Sequence, residues 1–380
     1  MSDTAYPPDA PLPEGAEPTS QPVPAAAAPE PAPAIEPTAE GAAAAAPRGV
    51  SSSILARLRW RTHARLLVIV ALSVGLAISL TLWGYYLTTR HPITKLLPGA
   101  QPVVARLLQP RYLFSINGVS EPVGVAVTAN GDRIYVAESG GDRLVRAFDQ
   151  SGKALFTFAP PDSTAASRSP FYVAVNDSGL VYVVDRRRLT IDTYDSGGNY
   201  KGAVASPFAE GWLPLGIRVD GSNLLVTETT SGLHRVLKLD RQGALTLQFG
   251  QEGKGENPQD LWFPNGAVAD ARGRIYVSDS DNGRVQVFDP GGKLLYSING
   301  FSLPHGLDLD EYGRLHVVDT VGQEVKVYDV SGDRAALLFS FGTLGDGDGQ
   351  FNYPNDIAID GNDRVYVADR ANNRVQVWAY

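Results

Sequence analysis

The chain has 380 residues, a net charge of −8 and no cysteine. This length exceeds what one small domain needs, and without cysteine no disulfide pattern indicates the compartment. Charge is segregated, because residues 1–47 are purely acidic, residues 48–111 are purely basic, and residues 112–380 carry a net charge of −10. The acidic balance of the last and largest segment argues against nucleic-acid binding.

Residues 1–47 form the first segment, and proline accounts for 12 of them. The rest are mainly Ala, Glu and small polar residues, which bury too little apolar surface to offset the entropy lost on ordering. Proline also interrupts continuous helix. We therefore predict a disordered, partly extended tail, which is either a solvated spacer or a docking segment for a proline-binding partner.

A run of 22 uncharged, mostly apolar residues spans 66–87 and follows a basic segment at 48–65. As a helix it covers roughly 33 Å, enough for a bilayer core of ~30 Å. Trp83, Tyr85 and Tyr86 crowd its end, as aromatic residues do at a membrane interface. The run starts too far along the chain for a cleaved signal peptide, so it predicts one transmembrane helix.

The basic residues that flank this run predict its orientation. Five Arg precede it, and three basic residues follow it within a similar distance. Because cytoplasmic flanks carry the excess of positive charge, we expect a cytoplasmic N-terminus, a stalk at 88–110 and a domain at 111–380 outside the membrane. The predicted location is the cell membrane, crossed once, in a cell envelope.

The last segment repeats one pattern six times, at intervals of 40 to 50 residues. Each copy opens with a proline and an alternating apolar strand, then has a turn rich in Gly or Asn, a second strand ending in an acid, and a third strand. In five copies an Asp-x-x-Gly turn leads to a fourth strand. The opening prolines are Pro122, Pro170, Pro214, Pro264, Pro304 and Pro354. Four antiparallel strands in each of six copies predict an all-β, six-bladed β-propeller.

The sixth copy ends after its third strand, at Tyr380, while one strand precedes the first copy. That strand, YLFSI at 112–116, is similar to LLYSI and LLFSF, the fourth strands of copies four and five. We predict that residues 112–116 pair with residues 375–378 and close the ring, which removes two exposed strand edges. The end at Tyr380 would then complete the sixth blade rather than truncate it.

Two copies resemble the NHL repeat closely. They are WFPNGAVADARGRIYVSDSDNGRVQVFDPGGK, at 262–293, and GDGQFNYPNDIAIDGNDRVYVADRANNRVQVW, at 347–378. The other four copies are more divergent, and the resemblance covers residues 112–380. It implies a membrane-anchored NHL-repeat propeller of bacterial type. Propellers of this kind include protein-binding, RNA-binding and sensor domains and a few enzymes, so the resemblance implies no single chemistry.

The residue after each opening proline is expected near one mouth of the central channel. It is apolar in copies one to three and polar in copies four to six, at Asn265, His305 and Asn355, the last beside Asp356. A mouth of mixed polarity suits a ligand with an apolar and a polar side, although Asn and His also fit local turn geometry. The candidate ligand-binding residues are Asn265, His305, Asn355, Asp356 and Phe171.

A divalent metal is the alternative for this mouth. Resemblance to gluconolactonase-like propellers implies Asn265, Asn355 and Asp356 as oxygen ligands for Ca²⁺ or another divalent metal. Resemblance to peptidyl-amidating lyases implies a zinc held by three His, of which only His305 matches. The leading hypothesis includes no cofactor, metal or catalytic residue.

Two further histidines are expected to have no part in a metal site. His316 stands where other copies have a strand-two tyrosine, so we expect it to pack. His234 falls in a loop between the second and third strands, so we expect it to be solvated.

An acid ends the second strand of every copy. Three of these acids are followed five residues later by an Arg, so each is expected to accept that Arg or nearby loop amides and to fix the loop. A role repeated in every copy indicates structure, whereas a catalytic residue normally breaks a repeat. The spaced pairs are Glu138 with Arg143, Asp279 with Arg284, and Asp369 with Arg374.

The leading functional hypothesis is a binding or scaffolding module outside the membrane, whose partner is a protein, a peptide or a glycan. A rigid propeller face made of loops suits such recognition. The alternative is a metal-dependent hydrolase or lyase that uses the channel mouth.

Overall fold

The computed structural model describes residues 67–84 and 108–380. The predicted tail at 1–47, the basic segment at 48–65 and most of the predicted stalk lie outside the described residues. Helix α1, Leu67–Gly84, is long and apolar enough to cross a membrane. This helix is consistent with the predicted membrane anchor, and the orientation of the chain stays a prediction.

Residues 108–380 form a six-bladed β-propeller, as predicted. Each blade is a four-stranded antiparallel sheet, whose strands run in chain order from the channel to the rim in blades one to five. Blade one comprises β2 (Pro122–Val127), β3 (Arg133–Glu138), β4 (Val145–Asp149) and β5 (Ala154–Phe158). Blade two comprises β6 (Pro170–Val175), β7 (Val181–Asp185), β8 (Thr190–Tyr194) and β9 (Tyr200–Ala203). Blade three comprises β10 (Pro214–Asp220), β11 (Asn223–Glu228), β12 (Arg235–Asp240) and β13 (Leu245–Phe249).

Blades four to six follow the same plan. Blade four comprises β16 (Pro264–Ala269), β17 (Ile275–Asp279), β18 (Arg284–Phe288) and β19 (Leu294–Asn299). Blade five comprises β20 (Pro304–Leu309), β21 (Arg314–Asp319), β22 (Glu324–Asp329) and β23 (Ala336–Phe341). Blade six comprises β24 (Pro354–Ile359), β25 (Arg364–Asp369), β26 (Arg374–Ala379) and β1 (Arg111–Ile116). A short parallel pair, β14 (Gln251–Glu252) and β15 (Asp260–Leu261), joins blades three and four, and two 3₁₀ turns span Ser280–Asn282 and Arg370–Asn372.

Burial along each blade follows from stacking between two neighbouring blades. Second strands such as β17 are buried at every position, because both of their faces meet another blade. Fourth strands such as β5 keep exposed residues, because they lie at the rim. The apolar β-branched residues that fill the inner strands suit this two-sided burial.

Every inner strand begins at its proline and has an irregular register just after it. In blade six the shift falls between Pro354 and Asp356, and in blade four between Pro264 and Ala267. Proline fits the first position of a strand because it has no N–H to donate. The bulge that follows redirects the next side chain, and this is how the residue after each proline reaches the channel mouth.

The N-terminal strand closes the ring, as predicted. Strand β1 pairs with β26 in antiparallel register, with Tyr112 opposite Trp378 and Ile116 opposite Val375. Ile116 is buried in the core between blades six and one. The closure therefore adds a complete hydrogen-bonded ladder and an apolar contact.

Tyr380 adds a second link between blades five and six. Its ring lies 3.8 Å from the Arg314 guanidinium, and its hydroxyl is 2.6 Å from His316 Nε2. His316 is fully buried, as predicted, and burial lowers its pKa to about 4. The imidazole is therefore neutral at pH 7 and serves as a packed hydrogen-bonding group.

His234 does not have the solvated position that was expected. It is 3% exposed, and its ring lies 5.4 Å from that of Trp262 and 4.8 Å from that of Phe263. The Phe263 N–H donates to His234 Nδ1 at 3.3 Å. The segment that leads into blade four covers this loop, a contact that no local sequence pattern indicates.

The closing strand generates a stability prediction. Ile116→Ala should lower the free energy of unfolding by about 2–4 kcal/mol, because it leaves a cavity in the core between the first and last blades. Leu113→Ala, on the exposed side of the same strand, should cost less than about 1 kcal/mol and is the matched control. Urea unfolding measures both values, and equal losses would contradict the role of β1 in closing the core.

Candidate functional site

The six acids that end the second strands are structural. Each is buried and accepts the N–H of a residue that leads into the opening proline of its own blade, as Asp279 does from Trp262 at 2.6 Å. The predicted cross-hairpin pairs are present at Arg284–Asp279, 2.7 Å, and Arg374–Asp369, 2.8 Å. The carboxylates therefore fix the start of the inner strands, and with them the channel mouth.

The predicted pairing of Glu138 with Arg143 is wrong. Glu138 binds Arg146 Nε at 2.6 Å. The loop of blade one is one residue longer, so the Glu138 N–H bonds to the carbonyl of Leu144, six positions on. Arg143 has a φ of 53° within this loop and donates to the carbonyls of Ser139 and Ala165.

We call the ring of residues that follow the opening prolines the first mouth. Two of its polar members form a bridge, because His305 Nδ1 and Asn355 Oδ1 are 2.9 Å apart. Asn355 Nδ2 in turn donates to the carbonyl of Val123 at 2.5 Å. The bridge connects blades five, six and one. The members of the first mouth are Val123, Phe171, Leu215, Asn265, His305 and Asn355.

This bridge indicates which ring nitrogen of His305 carries the proton. Asn355 uses its amide N–H₂ toward Val123, so its oxygen accepts and His305 Nδ1 carries the proton. Burial lowers the pKa of His305, and the positive charge of Arg370 adds to that effect. The ring is neutral at pH 7, and within residues 67–84 and 108–380 its Nε2 has no hydrogen-bond partner. Nε2 is thus an available acceptor at the mouth.

The other two mouth candidates lie apart from this bridge. Asn265 donates to Ser280 Oγ at 2.8 Å and is 8% exposed, so it is tied to its own blade. Phe171 is half-buried, packs edge-on against Tyr172 at 5.1 Å, and has the Arg186 guanidinium 5.4 Å from its ring centre. The mouth therefore has an aromatic side at blade two and a polar side at blades five and six.

Asp356 lies below the mouth, inside the channel. Its Oδ1 is 2.6 Å from an Nη of Arg218, and its Oδ2 accepts the Val125 N–H at 3.0 Å. Arg218 belongs to blade three and Asp356 to blade six, which are opposite each other in a six-membered ring. The ion pair therefore crosses the channel. A cavity of about 140 Å³ lies beside it, lined by Arg218, Asp308 and inner-strand valines.

Asp308 is the third charged residue of this channel network. Its two oxygens accept the N–H groups of Leu309 and Ile359, each at 2.9 Å. The inner strands have no neighbour on the channel side, so their buried N–H and C=O groups need side-chain partners. Burial raises the pKa of Asp308 to about 6, and the charge of Arg218 opposes that rise.

The sequence-based prediction missed Arg218 and Asp308, although a signal for them exists. Both occupy the fifth position of an inner strand, where the other four copies have Ala or Val. Asp356 occupies the third position, where four copies have Gly. A comparison of the six copies at every inner-strand position reveals these departures from the repeat.

The proposed metal ligands each bind protein groups in this structure. Asn265 bonds to Ser280 of its own blade, Asn355 bonds to Val123, and Asp356 already has a cationic partner in Arg218. Within the described ranges, no three His, Cys, Asp or Glu side chains are grouped to hold a metal ion. A cation bound through Asp356 would have to displace the guanidinium. The metal hypothesis stays a prediction.

Comparison with known proteins identifies the repeat. The profile of the NHL repeat matches residues 261–288 and 351–378. The propeller contains NHL repeats. These segments coincide with most of the two copies whose sequence resembled that repeat.

Relatives with known names share parts of the NHL propeller. "Protein lin-41" of Caenorhabditis elegans is 37% identical over 91 residues, which cover 23% of this chain and 8% of that protein. "E3 ubiquitin-protein ligase NHLRC1" of Rattus norvegicus is 27% identical over 189 residues, 48% of this chain and 47% of that protein. "NHL repeat-containing protein 3" of Mus musculus is 35% identical over 183 residues, 43% and 51%. The chain spans about half or less of the length of these relatives.

Solved structures share the fold. A protein of unknown function from Bacteroides thetaiotaomicron superposes with a TM-score of 0.54 and 17% identity, covering 71% of this chain and 72% of that chain. Streptogramin B lyase superposes with a TM-score of 0.51 and 14% identity, covering 71% and 97%. At these identities the likeness shows the fold alone.

The channel network generates a prediction about pH. The folded pKa of Asp308 is about 6, above its value of about 4 in the unfolded chain. Between these values the unfolded chain has lost the proton and the folded chain keeps it, so the free energy of unfolding should fall by about 1.4 kcal/mol per pH unit as pH rises. Asp308→Asn should remove this component of the slope. Urea titrations between about pH 4 and 7 measure it, and parallel profiles for both proteins would contradict the assignment.

Proposed function

We propose that this protein is a single-pass membrane protein whose NHL propeller lies outside the cytoplasm and binds a protein, a peptide or a glycan at the first mouth. The proposal rests on the positions at which the residues of the blades differ. Buried acids, hairpin turns and core positions repeat from blade to blade, whereas Phe171, His305 and Asn355 replace one another at equivalent positions. Chemical variety on a repeated frame is what a recognition site needs.

The channel network supports binding at the mouth rather than passage through the channel. The Arg218–Asp356 ion pair crosses the channel below the first mouth, and both groups are held by backbone partners as well. We take this ion pair as the floor of the binding site. Above that floor, Phe171 supplies apolar contact, and His305 Nε2 supplies a hydrogen-bond acceptor.

The membrane part of the proposal depends on helix α1 and on the basic residues before it. The helix has the length and composition of a membrane span, and the excess of Arg on its N-terminal side favours a cytoplasmic tail. A propeller tethered in this way would present its loops to partners in the cell envelope.

The absence of cysteine makes the orientation testable by thiol labelling. We expect Ala154→Cys, on an exposed part of β5, to react with a membrane-impermeant maleimide in intact cells. Ser20→Cys, in the tail, should react only after the membrane is permeabilised. The cysteine-free wild type is the background control. Labelling of Ser20→Cys alone in intact cells would reverse the proposed topology.

Binding at the first mouth can be tested by photo-crosslinking in the native membrane. With p-benzoylphenylalanine at position 171, we expect ultraviolet-dependent adducts to a distinct partner. The same residue at position 337, which is exposed on the rim strand β23, should give none of these adducts. Equal adducts from both positions, or none from position 171, would contradict recognition at the mouth.

A further inference from the structure

Two arginines break the repeat beside the first mouth. The residue after the structural acid is small and carries a hydroxyl in four blades, at Ser139, Thr229, Ser280 and Thr320, but it is Arg186 in blade two and Arg370 in blade six. In blades four and five this hydroxyl donates to the carbonyl of the next opening proline, for example from Thr320 to Pro354 at 2.7 Å. We infer that the two arginines have a different role.

Arg186 is a candidate anion-binding residue beside the mouth. Its guanidinium lies over Phe171 at 5.4 Å, and its side chain makes no ion pair or hydrogen bond to any residue in the described part of the chain. The side chain is exposed to solvent, and its pKa is lowered because neighbouring atoms partly desolvate the guanidinium. A guanidinium that has no protein partner is available to pair with an anion.

Tyr172 connects Arg186 to the polar side of the mouth. Its ring is buried, and Arg186, Arg218, Asn355 and Asp356 all influence its phenol. Burial is the main reason that the pKa of this phenol is raised. Arg186 lies over Phe171, a member of the first mouth, and Phe171 packs against this tyrosine.

Arg370 adds positive charge on the other side of blade one. Its guanidinium contacts Glu121 at 3.4 Å, but both side chains are about half exposed, so this pair is weak. Arg370 begins the 3₁₀ turn after β25 in blade six, the blade that contributes Asn355 to the bridge, and its charge helps to lower the pKa of His305. Blades two and six both adjoin blade one, so the two guanidinium groups flank its part of the mouth.

Several acids near the mouth are paired with cations other than Arg186. Asp356 is paired with Arg218, Asp319 with Lys326 at 2.9 Å, and Glu121 with Arg370. His305 and Asn355 are neutral. Arg186 is thus a cationic side chain of the mouth that has no ion-pair partner among the described residues, and it would attract an anion.

We propose that the first mouth binds a carboxylate attached to an apolar group; this rests on the proposed function and names its ligand class. Arg186 binds the carboxylate in a two-pronged contact, which its planar guanidinium favours. Phe171 packs against the apolar group, and His305 Nε2 accepts a hydrogen bond from a ligand donor. Arg370 adds positive charge beside this site but does not contact the ligand.

The test uses three fluorinated probes of similar size and different charge, with the full chain in detergent. They are trifluoromethylbenzoate, trifluoromethylbenzamide and trifluoromethylbenzylammonium, and binding is followed by ¹⁹F NMR titration. We expect the benzoate to bind more tightly than the neutral amide, and the ammonium to bind most weakly. Added salt should weaken the benzoate complex, because the mouth is open to solvent.

Matched variants locate the site. Arg186→Gln should weaken benzoate binding by at least about tenfold, and Arg370→Gln by less. Arg334→Gln is the control, because that guanidinium also lies over an aromatic ring, Tyr296 at 5.2 Å, but on the rim. Its binding should match that of the wild type. Unchanged melting temperatures show that the variants are folded.

The outcomes separate the ligand class from the proposed function. If the amide or the ammonium binds as tightly as the benzoate and Phe171→Ala abolishes that binding, the mouth is a binding site but the carboxylate inference is overturned. If Arg186→Gln and Arg334→Gln weaken benzoate equally, the site is not at the mouth and the inference also fails. If no probe binds, the inference is overturned, whereas adducts from position 171 would still support the proposed function.

Discussion

The pairing of β1 with β26 is the constraint on which the propeller depends. A ring of blades is stable only when each blade packs between two others, and one open seam would expose two apolar faces and a strand edge. The seam in this chain is closed by six residues from one end of the domain that complete the sheet at the other end. Ile116 fills the core at that seam, and Tyr380 connects the same region to Arg314 and His316 of blade five.

Closure gives the inner strands a fixed arrangement, and the channel is the result. Each of the six inner strands has one backbone edge that faces the channel axis, where no further strand can pair with it. Arg218 donates to a carbonyl across the axis, and Asp308 and Asp356 each accept an N–H group of the adjacent blade, so charged side chains replace the missing backbone partners. Such a network is costly to break, because removal of one charge leaves another buried without a partner. It also provides the floor of the first mouth.

The first mouth combines a structural frame with variable side chains. A buried acid holds the segment before each opening proline, and the bulge after that proline directs one side chain to the rim of the channel. Because every blade repeats this frame, exchange of one residue changes the mouth without a change in the fold. Phe171 with Arg186 on one side, and His305 with Asn355 on the other, give the mouth its mixed polarity and its positive charge.

The sequence by itself determined the repeat, the number of blades, the strand that closes the ring and the structural role of the six acids. Each of these depends on local periodicity or on turn residues, which a repeat displays six times. Only the tertiary structure decided which charged residues meet, because Arg218 and Asp356 are 138 positions apart and face each other only when the ring is closed. Because the loop after Glu138 is one residue longer, Glu138 pairs with Arg146 and not with Arg143. The segment that leads into blade four buries His234. Contacts across an axis or between blades depend on distances that no local pattern encodes.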